Sequence, residues 1–178
     1  GGQASVFDPY ERSIADLQAA LDKRQVTSRQ LVESYLARIE AYDQQGPQIN
    51  AFISLNPAAL ETADALDRER AARKVRGPLH GIPIVVKDNF DTIDMPTTGS
   101  SIALATYRPA RDAFQVARLR EAGAIILGKT NLHELASGIV TISSLGDQTR
   151  NPYDPARNPG GSSGGRWRSR HQPGAWRT

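Results

Sequence analysis

The chain has 178 residues, 39% hydrophobic and 23% charged, values of a globular protein long enough for one core. No stretch of 18 apolar residues exists to cross a bilayer as a helix, and the lack of cysteine excludes disulfides and thiolate metal sites without assigning a compartment. The net charge of +3 is unevenly spread: 22 basic residues less the 4 arginines of residues 166–178 is 18 against 19 acidic, so residues 1–165 carry −1.

In chain order, Ser13 to Leu21 reads as a short helix, and Thr27-Ser28-Arg29-Gln30 is a capping-box start for a second. Leu31, Tyr35, Leu36, Ile39 and Tyr42 share one face of that second helix, which Gly46-Pro47 is expected to end. Ala51 to Leu55 predicts a strand. Pro57 to Arg73 predicts a helix, with Asp67, Arg68, Glu69, Arg70 and Arg73 as a solvated face. After the punctuation of Gly77-Pro78, the apolar run Ile82 to Val86 predicts a buried strand ending at Lys87. Asp112 to Ala122 reads as a helix and Ala124 to Leu127 as a short buried strand. The alternation predicts an α/β layered domain with helices covering a sheet.

Residues 123–130, GAIILGKT, satisfy the phosphate-loop pattern letter for letter. The mechanism does not fit, because that loop follows a strand and exposes N–H groups between its glycines. Here a helical segment precedes the first glycine and an apolar strand lies between the two.

The most informative stretch is residues 151–165, NPYDPARNPGGSSGG. By composition alone, Gly160, Gly161, Ser162, Ser163, Gly164 and Gly165 form a flexible linker. The turn dipeptides Asn151-Pro152, Asp154-Pro155 and Asn158-Pro159 argue otherwise, since they fix the chain's entry. Together with Gly81-Ile-Pro-Ile-Val-Val-Lys87-Asp88-Asn89, Thr97-Thr98-Gly99-Ser100 and Gly128-Lys129-Thr130-Asn131-Leu132-His133-Glu134, the glycine-serine run resembles, in order and spacing, the amidase signature family of serine hydrolases.

The resemblance runs from about Ile14 to Gly165. It implies a layered α/β/α fold with a mixed sheet, of which only the N-terminal part is expected in this chain. It also implies hydrolysis of a carboxamide C–N bond through a serine acyl-enzyme, without metal or organic cofactor. Lys87 matches the family's base, which needs a lowered pKa to act near neutral pH. Ser162 matches the serine that relays a proton between lysine and nucleophile and follows a cis peptide. Gly160, Gly161, Ser163 and Gly164 fall in the surrounding substrate loop. The family's nucleophile, about two dozen residues beyond the relay serine, is expected to be absent, and Ser169 lacks the glycines an oxyanion hole needs. Asn131 is expected to cap a short helix with Glu134 in its first turn, and His133 and Glu134 read as structural, not metal ligands.

Residues 166–178 depart from the pattern. Basic, with interleaved tryptophans, they could contact nucleic acid. Read one base back with CGN arginine codons, they become an Ala/Val-rich helix pattern, so a shifted reading frame is expected: residues 1–165 as the N-terminal part of an amidase domain, residues 166–178 as a non-native, disordered tail. The implied partner is a small-molecule amide, with no membrane, a homodimer allowed for the full-length protein, and nucleic acid only for a chain that serves an amidotransferase. The favoured location is cytoplasmic, ahead of a periplasmic or secreted one. Two further readings stay open: the glutaminase subunit of a tRNA-dependent amidotransferase, and a binding protein that keeps the loop without the nucleophile.

Overall fold

The computed structural model describes residues 7–165. Helix α1 (Ile14–Asp22) begins where Ser13 Oγ accepts the Asp16 N–H and the Asp16 carboxylate accepts the Ser13 N–H. Helix α2 (Ser28–Ile39) begins with the same reciprocal box between Thr27 and Gln30. Asp67 adds an anion here. Its two oxygens accept the N–H groups of Ser28 and Arg29 at 2.8 and 3.0 Å, a favourable place for negative charge against the helix dipole. The expected solvated face on the third helix is therefore partly an inter-helix contact. Arg70 belongs to it as well, pairing with Asp22 and donating to the His80 carbonyl at 2.9 Å.

The second helix does not run uniformly to Gly46. At Glu40 it widens into a π-helical turn, Glu40–Gln44, that carries Asp43 inward. The Asp43 carboxylate accepts the N–H groups of Ala51 and Phe52 at 2.5 and 3.3 Å and so fixes the entry to strand β1 (Phe52–Leu55). Helix α3 (Ala59–Ala71), strand β2 (Pro83–Lys87), helix α4 (Phe114–Glu121) and strand β3 (Ile125–Thr130) follow.

These strands form one mixed sheet in the order β1-β3-β2, with β3 antiparallel to β1 and parallel to β2. Every residue of β3 is buried, because it lies between two strands and under two layers of helix. Alternation along the strand divides the core. Ile125 and Leu127 pack with Val32, Ile49 and Leu66 beneath α2 and α3, while Ile126 packs with Val86, Met95 and Val116 beneath α4. Of β2 only Val86 is fully buried, less than its apolar run predicts, since β2 stands at one side of this sheet.

Strand β3 continues through Gly128-Lys129-Thr130, so the phosphate-loop letters lie in extended, paired backbone. Gly128 is small for a local reason: a Cβ there would come within 2.6 Å of the Ser54 carbonyl on β1. A hairpin of β4 (Ile142–Ser143) and β5 (Asp147–Gln148) precedes the glycine-serine loop.

Candidate active site

Lys87 is the last residue of β2, and its pairing with Thr130 of β3 sets where its side chain departs. Its Nζ lies 2.8 Å from Ser162 Oγ, a contact between residues 75 apart in sequence. Both are half-buried. At that distance either atom can donate: an ammonium to the hydroxyl oxygen, or the hydroxyl to a neutral amine.

The loop that delivers Ser162 is tied down along its length. His133 N–H donates to the Ser162 carbonyl at 3.0 Å. Thr141 Oγ1 donates to the Gly160 carbonyl at 2.6 Å and accepts the Gly164 N–H at 3.0 Å. The Gly161–Ser162 peptide is cis. A Cβ on Gly161 would stand 2.7 Å from the Ile139 carbonyl carbon, and one on Gly165 would stand 2.5 Å from the Ala51 carbonyl oxygen. The glycines therefore allow backbone to pass close to backbone, a role no linker has. Ser163, next to Ser162, is half-buried, and Gly164 is buried.

A second cluster lies next to this pair. Lys129 and Asp88 are both fully buried, with Lys129 Nζ 3.1 Å from Asp88 Oδ1. Lys129 also donates to the Pro96 carbonyl and to Thr97 Oγ1, each at 3.0 Å. Burial holds the Lys129 amine below the ordinary lysine value, and the Asp88 charge opposes that shift. Asp88 Oδ2 accepts from the Thr98 N–H at 3.1 Å, the Thr98 hydroxyl, and the Ser100 N–H at 3.3 Å.

Asn131 caps no helix. The short 3₁₀ turn Glu134–Ala136 starts after His133, and Leu135 inside it is left-handed at φ +50°. The Asn131 amide instead bridges loops, accepting from Ser100 Oγ at 3.0 Å and donating to the Gly146 carbonyl at 2.9 Å. Glu134 accepts from Ser101 Oγ at 2.7 Å and the Ser144 N–H at 2.9 Å, bonds that hold its carboxyl below the usual range, with Ser101 the larger cause. Among the described residues no group of His, Cys, Asp and Glu could hold a metal. Ser169 and the basic segment 166–178 lie outside the described residues. Sequence reading passed over Thr141, Ser143 and Gly146, whose roles depend on contacts made across loops and leave no local signal.

The sequence profile described as Amidase matches residues 30–166. The chain belongs to the amidase family. It is 48% identical over 154 residues to a glutamyl-tRNA(Gln) amidotransferase subunit of Nitratidesulfovibrio vulgaris (strain DP4), covering 86% of this chain and 30% of that protein. The native peptide amidase of Stenotrophomonas maltophilia superposes with a TM-score of 0.86 at 49% identity, over 88% of this chain and 33% of that one. An amidase family protein of Bacillus anthracis str. Ames gives a TM-score of 0.82 at 36% identity, over 87% and 32%. The chain thus spans about three tenths of the length of the curated relatives it matches. Among the described residues of this amidase family member, no helix is long and apolar enough to cross a membrane.

Proposed function

We propose that this chain is the N-terminal part of an amidase that hydrolyses a carboxamide C–N bond, with Lys87 as general base and Ser162 as proton relay. The observation that carries this reading is the 2.8 Å contact between Lys87 Nζ and Ser162 Oγ. A neutral Lys87 accepts the Ser162 proton while Ser162 accepts one from a nucleophilic serine supplied by sequence beyond residue 165. That serine's oxygen attacks the carbonyl carbon. The relay then returns the proton to the departing nitrogen, so ammonia or an amine leaves as the C–N bond breaks. Water, deprotonated by the same route, releases the acid. General-base assistance of this kind contributes about 10²–10⁴-fold.

The peptide amidase likeness favours a simple hydrolase. The amidotransferase relatives favour a second reading, in which the released ammonia passes to a partner's substrate. The test is ammonia release from carboxamides and glutamine by a protein in which residues 1–165 are continued by the remaining part of an amidase domain. Lys87→Ala and Ser162→Ala should each lower the acylation rate by at least about 10²-fold. Turnover unchanged by Lys87→Ala would remove the base from the scheme. Activity on glutamine alone, dependent on added partner proteins, would select the second reading.

A further inference from the structure

We propose that the buried Asp88–Lys129 pair is the positioning device for the candidate site, one carboxylate holding both the strand that carries Lys87 and the loop that carries Ser162. The proposal rests on reading Lys87 and Ser162 as the proton-transfer pair, and it names two residues outside that pair.

Asp88 follows Lys87 directly and is held through its backbone, one carboxylate oxygen and an ion pair on the other. Its N–H donates to the Thr130 carbonyl at 3.1 Å, and its carbonyl accepts the Gly99 N–H at 2.9 Å. A carboxylate has about four acceptor positions. Asp88 Oδ2 accepts from three donors, the Thr98 N–H, the Thr98 hydroxyl and the Ser100 N–H, while Oδ1 faces the Lys129 ammonium at 3.1 Å as an ion pair. The Lys129 ammonium donates to the Pro96 carbonyl and to Thr97 Oγ1, and its charge faces Asp88 Oδ1. The segment from Pro96 to Ser100 is thereby closed around the pair, and the end of β2 has no slack.

The second arm starts at Ser100. Its φ of +57° lies in the left-handed region, unfavourable for a residue with a side chain. In that conformation its N–H faces Asp88 while its hydroxyl donates to Asn131 Oδ1 at 3.0 Å and accepts the Leu132 N–H at 3.2 Å. The next residue, His133, donates its N–H to the Ser162 carbonyl at 3.0 Å. An unbroken series of hydrogen bonds and short backbone links therefore joins the Asp88 carboxylate to Ser162, while one peptide unit joins it to Lys87. An asparagine at position 88 would leave the buried Lys129 ammonium without an opposing charge, because its amide is neutral.

The experiment separates this role from plain support of the fold. Removing one member of a buried ion pair strands the other charge, whereas replacing both is close to neutral, so the comparison uses Asp88→Asn/Lys129→Met together. The readout on the 178-residue chain is the acetylation rate of Lys87 by acetic anhydride at pH 8, followed by peptide mass spectrometry, with and without Ser162→Ala. In the unsubstituted chain, Ser162→Ala should raise the Lys87 rate about fivefold or more, the equivalent of one lost hydrogen bond. In the double variant, with its melting temperature near that of the unsubstituted chain, Ser162→Ala should change the rate by less than about twofold, the contact being lost already.

A Ser162→Ala effect of undiminished size in the double variant overturns the positioning role and leaves the proton-transfer pair standing. No effect in the unsubstituted chain overturns the pair itself. Should the double variant fail to fold, Ser100→Ala, which cuts the second arm and leaves the ion pair in place, is measured in the same way against the same criterion.

Discussion

Lys87 and Lys129 sit near the ends of neighbouring strands, and the chain uses them in opposite ways. Lys87 is half-buried and its Nζ reaches Ser162, whereas Lys129 is wholly buried with its charge matched by Asp88. Replacing Lys129 by methionine strands a buried carboxylate and should cost about 3–5 kcal/mol. Replacing Lys87 by methionine keeps an aliphatic stem against the sheet and should cost about 1 kcal/mol or less. Urea unfolding of the two variants measures the difference, and equal losses would show that Lys129 is not held as described. The place of Lys87 at a strand end was legible because an apolar run ends on it, while its proposed role came only from the family resemblance. The Lys129–Asp88 pair was not legible: its members are far apart in sequence, and a buried lysine is spelled like an exposed one.

At the level of elements, the helix starts were legible and one helix end was not. Ser13 and Thr27 cap their helices through side chains three residues away, so local sequence contains the whole signal. The end of α2 depends on Asp43, which finds its partners only when β1 is in place. Burial, the largest cause, raises the Asp43 carboxyl above its ordinary value despite those hydrogen bonds. A carboxyl raised on folding binds its proton more tightly in the folded state. Stability from this group is therefore fullest below the unfolded value of 3.8 and declines as pH rises through the folded value. Asp43→Asn should remove that decline. Urea midpoints of both proteins between pH 4 and pH 7 test the sign, and a difference that grows in favour of aspartate as pH rises would reverse it.

Across the whole described molecule, the alternation of helix and strand was enough to predict layers, while the order of strands was not, because periodicity reports burial and not neighbours. The order matters beyond the static fold. Strand β3, third in sequence, pairs on one side with β1 and on the other with β2. During synthesis from the N-terminus, β1 and β2 emerge first and have no ladder to join until β3 has followed them out. Chain-closure entropy for both pairings is then met in a single late event. A fragment ending at Gly123 should show helical circular dichroism with no slowly exchanging strand amides, and one ending at Ser137 should show protection at Val86 and Asp88, whose N–H groups face β3. Protected strand amides in the shorter fragment would mean an early pairing that the finished sheet does not retain. In a growing chain, the lysine at the tip of β2 is therefore held to no fixed address until a strand made well after it slides in alongside.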